Sequence, residues 1–199
     1  MRYDKGRKEA SRRLIMEVAT KRFREYGIAA SGIASIMNDA GLTNGAFYPH
    51  FESKEELVRE CVSTAQINQS KLLQKALDAG GLELLITTYL SPKHRDAPGL
   101  GCISAALLGE LSRQPSETRK HYTDGLLNLM CRMATALPKE VSDAEDVMLA
   151  VFSTLIGSLQ LARAVEGPAL SDRILGAGVD AARAILQSHQ NNKTGEISI

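Results

Sequence analysis

Tryptophan is absent from this 199-residue sequence, aromatic residues make up only 5% of it, and there are six prolines and three cysteines. So few aromatics beside abundant Ala and Leu disfavour sheets, which rely on aromatic and β-branched side chains, and favour helices. Cys61, Cys102 and Cys131 are odd in number and lack C-x-x-C spacing, which argues against a disulfide framework or a structural zinc site and fits a reducing cytoplasm. His50, His94, His121 and His189 make no H-x-x-x-H pair. With no G-x-S-x-G, Walker loop or G-x-G-x-x-G either, no enzyme, metal or cofactor is expected. The most apolar stretch, residues 147–162, is interrupted by Ser153, Thr154, Gly157, Ser158 and Gln160. It falls short of the roughly 20 apolar residues of a bilayer span and reads as a buried helix, so no membrane is expected. The charged first residues have no apolar segment behind them, so no secretory signal is expected.

The remaining composition is ordinary in proportion and uneven in distribution. With 44% hydrophobic and 24% charged residues, the chain can bury a core without staples. The formal charge is only +1, yet residues 1–24 hold nine bases against three acids, a net +6, and the rest carries −5. Such asymmetry points to nucleic acid or an acidic surface, with a solvated helix face as the alternative.

Apolar spacing and punctuation predict about nine helices. From residue 7 to residue 26, Leu14, Ile15, Val18, Ala19 and Phe23 recur at helical spacing, and Gly27 follows as a terminating glycine. Ser31 is positioned to cap a second helix to Asp39, carrying Ile33, Ile36, Met37 and Ala40, and Gly41 stops it. Thr43 is the expected cap of a short third helix over residues 44–50, which Pro49 must end or distort. Ser53 and Glu56 form a capping-box pattern opening a fourth helix over residues 54–79. Gly80-Gly81 breaks the chain before a fifth over 82–90. Residues 91–101, with Pro92, Pro98, Gly99 and Gly101, are the expected surface loop. Further helices are expected over 102–113, 116–137, 142–166 and 171–189, with Ser142 and Ser171 as caps and a polar tail after them.

A capped short helix, a glycine turn and a second short helix make a helix-turn-helix, whose second helix enters the major groove in DNA-binding proteins. The sequence SGIASIMNDAGLTNGAFYPHFESKEEL at residues 31–57 resembles the DNA-binding signature of TetR-family regulators, roughly T-S-x-x-x-I-A-x-x-A-G-V-S-x-G-x-x-Y-x-H-F-x-S-K-x-x-L. With the first helix, the resemblance covers about residues 10–60. It implies an all-α protein: a helix-turn-helix DNA-binding domain over residues 1–55, a helical-bundle ligand-binding and dimerisation domain over 56–190, and a tail over 191–199.

The resemblance places Ser31 at the cap of the second helix near a phosphate, Thr43, Asn44, Gly45 and Ala46 at the leading edge of the recognition helix, and Tyr48, His50 and Lys54 on DNA, mostly on phosphates. The chemistry is sensible in itself. An Asn amide reads adenine through two hydrogen bonds, an Ala methyl meets a thymine methyl, and hydroxyl and Lys groups hold the backbone. Ile36, Ala40, Phe47, Phe51 and Leu57 are expected to form the small core, and a structural hydrogen bond is the alternative for His50. Gly32, Ala34 and Pro49 depart from the family pattern, which shifts the burden toward basic Arg2, Lys5, Arg7 and Lys8.

The expected function is a cytoplasmic repressor that binds a palindromic double-stranded operator as a homodimer and is released by a small-molecule effector. Dimerisation is expected through the last two helices, where apolar residues alternate with Gly157, Ser158, Gly176, Gly178, Ala181 and Ala182. Cys102, Tyr89, Tyr122, Met130, Met133 and Phe152 are the ligand or redox candidates. Cys102 lies at an expected helix start, where amides stabilise a thiolate. Gly101-Cys102 with Glu110-Leu111 also resembles a TetR-family subgroup with electrophile-sensing members, so modification of Cys102 is the alternative switch, and constitutive DNA binding is another.

Overall fold

The computed structural model describes the backbone of residues 2–191 and the side chains of residues 6–189. The side chains of Arg2 and Lys5, and the expected tail from residue 192 on, lie outside the described residues. Among those described there are eight α-helices and no strand: α1 (Arg2–Tyr26), α2 (Ile33–Asp39), α3 (Lys54–Tyr89), α4 (Pro92–Arg95), α5 (Ile103–Leu111), α6 (Ser116–Ala134), α7 (Ala144–Ala164) and α8 (Pro168–Asn191). Two 3-10 turns, Asn44–Ala46 and Pro98–Leu100, complete the list. The chain divides into two compact units, Met1–Asn68 with Pro98–Gly125, and Gln69–Ala97 with Leu126–Ile199.

Several expectations need correction. The third helix is only the 3-10 turn at Asn44–Ala46, followed by further turns to His50. Pro49 has no N–H to donate, and the ring disfavours an α conformation in the residue before it. The fourth and fifth helices run together as α3, yet the break survives inside it, at Gly80 (φ −163°, ψ 20°) and Gly81 (φ 66°, ψ −160°). Residues 91–101 are not an irregular loop. Ser91 Oγ accepts from the His94 amide at 3.2 Å to cap α4, whose first residue is Pro92, and the Pro98–Leu100 turn follows. Proline is well placed to start a helix because its missing N–H is one that the first turn leaves unused.

The first unit is built around Ile15, Ala19 and Phe23 of α1, which lie four residues apart on one face. They pack with Ile36 and Met37 of α2, Phe47, Phe51, Leu57 and Val58, and Ile103, Leu107 and Leu111 of α5. Leu14 is on the neighbouring face and is exposed, and Ala40 is half-buried. In the second unit α7 packs along α8. Among the described residues α7 is the one helix long and apolar enough to cross a membrane, but Val147, Met148, Val151, Phe152, Leu155 and Leu159 are buried within the protein. The carbonyls of His94 and Arg95 accept from Arg163 at 2.7 and 3.0 Å, which ties α4 to α7. Ser171 is not the cap of α8. It lies inside the helix, buried, donates to the Ala162 carbonyl at 2.6 Å and accepts from Arg95 at 2.9 Å.

Gly81 occupies backbone space that residues with a Cβ enter only under strain, whereas Gly109 is helical and a Cβ there meets nothing within 4 Å. Gly81→Ala should therefore destabilise by about 1–3 kcal/mol, and Gly109→Ala should stabilise by about 0.5–1 kcal/mol. Thermal unfolding of the two variants checks both signs.

Candidate nucleic-acid interface

The geometry of residues 27–51 follows from how two helices end. Gly27, with φ 88°, stops α1, and its amide donates to the Phe23 carbonyl at 2.9 Å. This is the simple left-handed helix termination that glycine permits without strain. At the end of α2 the Leu42 amide reaches the Met37 carbonyl at 2.9 Å and the Gly41 amide reaches Asn38 at 3.0 Å, with Gly41 at φ 66°. That paired termination reverses the chain within two residues and puts Leu42 back against the core. An Arg22–Asp39 ion pair joins α1 to α2.

Beyond the turn, buried and exposed residues alternate with direct consequences for function. Phe47 and Phe51 are buried with ring centroids 5.4 Å apart, and they hold the segment down. Thr43, Asn44, Gly45 and Tyr48 are consequently exposed, Tyr48 at 66%, with Ala46 and His50 half-buried beside them. Thr43 occupies the N-cap position, but its side chain makes no cap hydrogen bond, so the hydroxyl is not spent on the turn. These residues form one polar, outward edge with a methyl in it, a composition able to meet base edges and phosphates.

Two of the residues expected at DNA also bond within the protein. Ser31 is fully buried, and its hydroxyl donates to the Gly27 carbonyl at 2.7 Å; the N-cap of α2 is Gly32. Ser31 therefore does not cap α2. Lys54 Nζ donates to the Ile28 carbonyl at 2.6 Å, so this ammonium holds the α1–α2 turn. Ser53 does cap α3, accepting from the Glu56 amide at 3.1 Å, while the Glu56 carboxylate accepts from the Glu52 amide at 2.5 Å. The capping box is thus closed one residue upstream of its usual place.

The basic N-terminal region divides in the same way. Arg12 pairs with Glu60 and lies 4.8 Å over the Phe51 ring, Arg22 pairs with Asp39, and Arg24 donates to the Gly99 carbonyl at 3.3 Å. Arg7, Lys8 and Arg13 are exposed. Residues 2–8, read as a basic arm, continue α1 as helix. His50 is held below the usual imidazole range by burial and then by Lys8 and Arg12, and its Nδ1 is buried with no hydrogen-bond partner among the described residues. Sequence reasoning missed Glu110 as part of this region; its two carboxylate oxygens accept from the Ile28 and Ala29 amides at 3.0 and 2.8 Å. The only signal available was its place in the weaker cysteine-containing motif.

The ligand and redox candidates do not share one unit. Cys102 and Tyr122 are in the first, where the Tyr122 hydroxyl donates to Ser104 at 2.9 Å. Burial pushes the Tyr122 phenol up. Tyr89, Met130, Met133 and Phe152 are buried in the second, with Tyr89 against His94 and Phe152 at ring-centroid distances of 4.7 and 6.2 Å. Cys102 is the N-cap residue of α5, but it is only 4% exposed.

Residues 15–61 match the family model described as bacterial regulatory proteins, tetR family. The HTH-type transcriptional repressor BepR of Brucella suis is 22% identical over 162 residues, covering 81% of this chain and 70% of that protein. The HTH-type transcriptional repressor KstR2 of Mycobacterium tuberculosis is 38% identical over 55 residues, 28% of each chain. Among solved structures, a TetR-family regulator from Cytophaga hutchinsonii superposes with a TM-score of 0.74 at 19% identity, covering 90% of this chain and 96% of that one. The reduced form of Escherichia coli NemR gives 0.72 at 16% identity, covering 89% and 97%.

Burial also orders the thiols. Cys131 is exposed, whereas Cys61 and Cys102 are buried, and burial pushes the Cys61 thiol up to about 12. An alkylating reagent should label Cys131 first and Cys61 only on unfolding, as read by peptide mass spectrometry. Because the folded thiol holds its proton above the ordinary value of 9.0, the associated stability is complete below that pH and is lost as pH rises toward 12. Urea midpoints across that range check the sign.

Proposed function

Because this chain belongs to the TetR family of bacterial regulatory proteins, we propose that it is a homodimeric repressor that binds a palindromic operator and is released by a small-molecule effector. Residues 1–55 read DNA, residues 56–190 sense and dimerise, and the protein works in the cytoplasm. The observation that carries the reading is the exposed edge from Thr43 to Tyr48, raised over the buried Phe47 and Phe51. Asn44 supplies the base reader, Ala46 the methyl contact, and Thr43, Gly45, Tyr48 and His50 the approach to the backbone. Its relatives are named as regulators of transcription rather than as enzymes.

Dimerisation is assigned to α7 and α8. Ala150, Ser153, Gln160, Leu161 and Ala164 lie exposed along one side of α7, and Gly176, Ala177, Ala181 and Ala184 along α8. Small residues at these spacings permit close approach of a second backbone, and Leu161, 59% exposed, is the apolar anchor. Tyr89, Met130, Met133 and Phe152 are the candidates to face a reversible effector. Such an effector is preferred to modification of Cys102, because a thiol with 4% exposure has little access to reagents.

Footprinting on the DNA beside the gene tests the assignment. Two half-sites about one helical turn apart, or a multiple of this, are expected. Asn44→Ala should lose about 1–3 kcal/mol of operator affinity and relax base preference at one position in each half-site. A footprint without a preferred site, or an Asn44→Ala variant with full affinity and unchanged preference, contradicts the reading. A neighbouring phosphate favours the imidazolium that Lys8 and Arg12 oppose, so binding takes up a proton at His50. Operator affinity should rise between about pH 8 and about pH 6, and His50→Gln should flatten that rise.

A further inference from the structure

Ending α1 at Gly27 leaves the amides of Ile28 and Ala29 without helical acceptors, and at Ile28, which is buried, such a donor requires a partner. Glu110, at the last turn of α5, supplies one oxygen to each, at 3.0 and 2.8 Å. The fit is specific to a carboxylate. Two consecutive donors need two acceptor atoms on one fork, and an amide side chain of the same size offers one acceptor and turns an NH2 toward the second donor. The carboxylate lies directly over Gly27, where a Cβ would collide with Glu110 Oε1 and push it off the amides, and the φ of 88° favours glycine independently.

The same turn is held from its other side. The Ile28 carbonyl accepts from Lys54 at the start of α3, and the Gly27 carbonyl accepts from Ser31 immediately before α2. Ile28 is itself buried in the core with Ile36, Met37 and Phe47. Moving this turn therefore moves the start of α2 and, through that core, the outward edge from Thr43 to Tyr48. The end of α5 is thus fastened by charge-assisted hydrogen bonds to the residue pair from which α2 is aimed.

We propose that Glu110 is the positioning residue of the DNA-binding head: its carboxylate fixes the α1–α2 turn in the geometry that binds the operator. The proposal rests on the reading that residues 31–50 bind DNA. Glu110 makes no DNA contact in this scheme, which separates it from Asn44 and from the exposed bases.

The test combines site-resolved amide exchange with operator binding for the full chain and for Glu110→Gln and Glu110→Ala. Exchange at Ile28 and Ala29 should accelerate about tenfold or more in both variants, because each loses at least one bond to a charged acceptor. Amides in the middle of α5 and of α7 should stay protected, and so report that the fold is retained; should Glu110→Ala fail to fold, Glu110→Gln decides. Operator affinity should fall about tenfold with the same base preference and the same salt dependence, since no phosphate contact is removed. Unchanged exchange at Ile28 and Ala29 overturns the clamp, and faster exchange with full affinity overturns its role in positioning. A shallower salt dependence would mean that Glu110 acts through the phosphate contacts and equally overturns the proposal. A wild-type chain that binds no duplex overturns the DNA reading on which positioning depends, while the exchange data score the clamp separately.

Discussion

The first compact unit of this protein depends on how its first helix ends. A left-handed glycine stops α1 at one residue, and the amides thereby released are taken up by a carboxylate from a helix more than 70 residues further along the chain. A buried group such as the Ile28 amide cannot be left unpaired without a cost comparable to a lost hydrogen bond, so the turn, α5 and α3 are bound to one geometry. That constraint explains why Pro98–Gly125 falls into the same compact unit as Met1–Asn68. A short helical head of this size buries too little apolar surface by itself, and Ile103, Leu107 and Leu111 of α5 supply the missing core.

The charge distribution takes on a different meaning in this setting. A net +6 in the first 24 residues looks like a binding surface, yet Arg12, Arg22 and Arg24 spend their guanidinium groups on Glu60, Asp39 and the Gly99 carbonyl. These contacts orient α1 against its neighbours; Arg7, Lys8 and Arg13 remain exposed to attract a polyanion. Lys54 follows the same pattern, since a lysine at a family position associated with phosphate has its ammonium on a backbone carbonyl. In the proposed function base reading falls to Asn44 at the exposed edge, while Glu110 and Lys54 bond to the turn at residues 28–29.

Much of this was legible in the sequence because it is local. Gly27 and Gly41 end their helices as punctuation predicts, Ser53 caps α3, and Phe47 and Phe51 are core while Asn44 and Tyr48 are exposed. The Gly80-Gly81 break was placed correctly, although the helices on either side are continuous enough to count as one. What could not be read was mostly non-local, Ser31 apart, whose partner lies four residues before it. Ser31 has the composition of a cap but is drawn into the core by the Gly27 carbonyl. Residues 91–101 contain enough Pro and Gly to read as loop, and become ordered because Arg163, about 70 residues away, accepts the job of satisfying their carbonyls. No periodicity in the sequence links Glu110 to residues 28 and 29.

The most direct test of the account is chemical-shift mapping of the isotope-labelled chain during titration with a duplex taken from the region upstream of its own gene. The account predicts perturbations centred on residues 43–50, with smaller ones along the exposed side of α1, and none of comparable size in α7. An unrelated duplex of equal length should reproduce only the α1 changes, since charge acts without regard to sequence. Perturbations that spare residues 43–50, or that are the same for both duplexes, would contradict it.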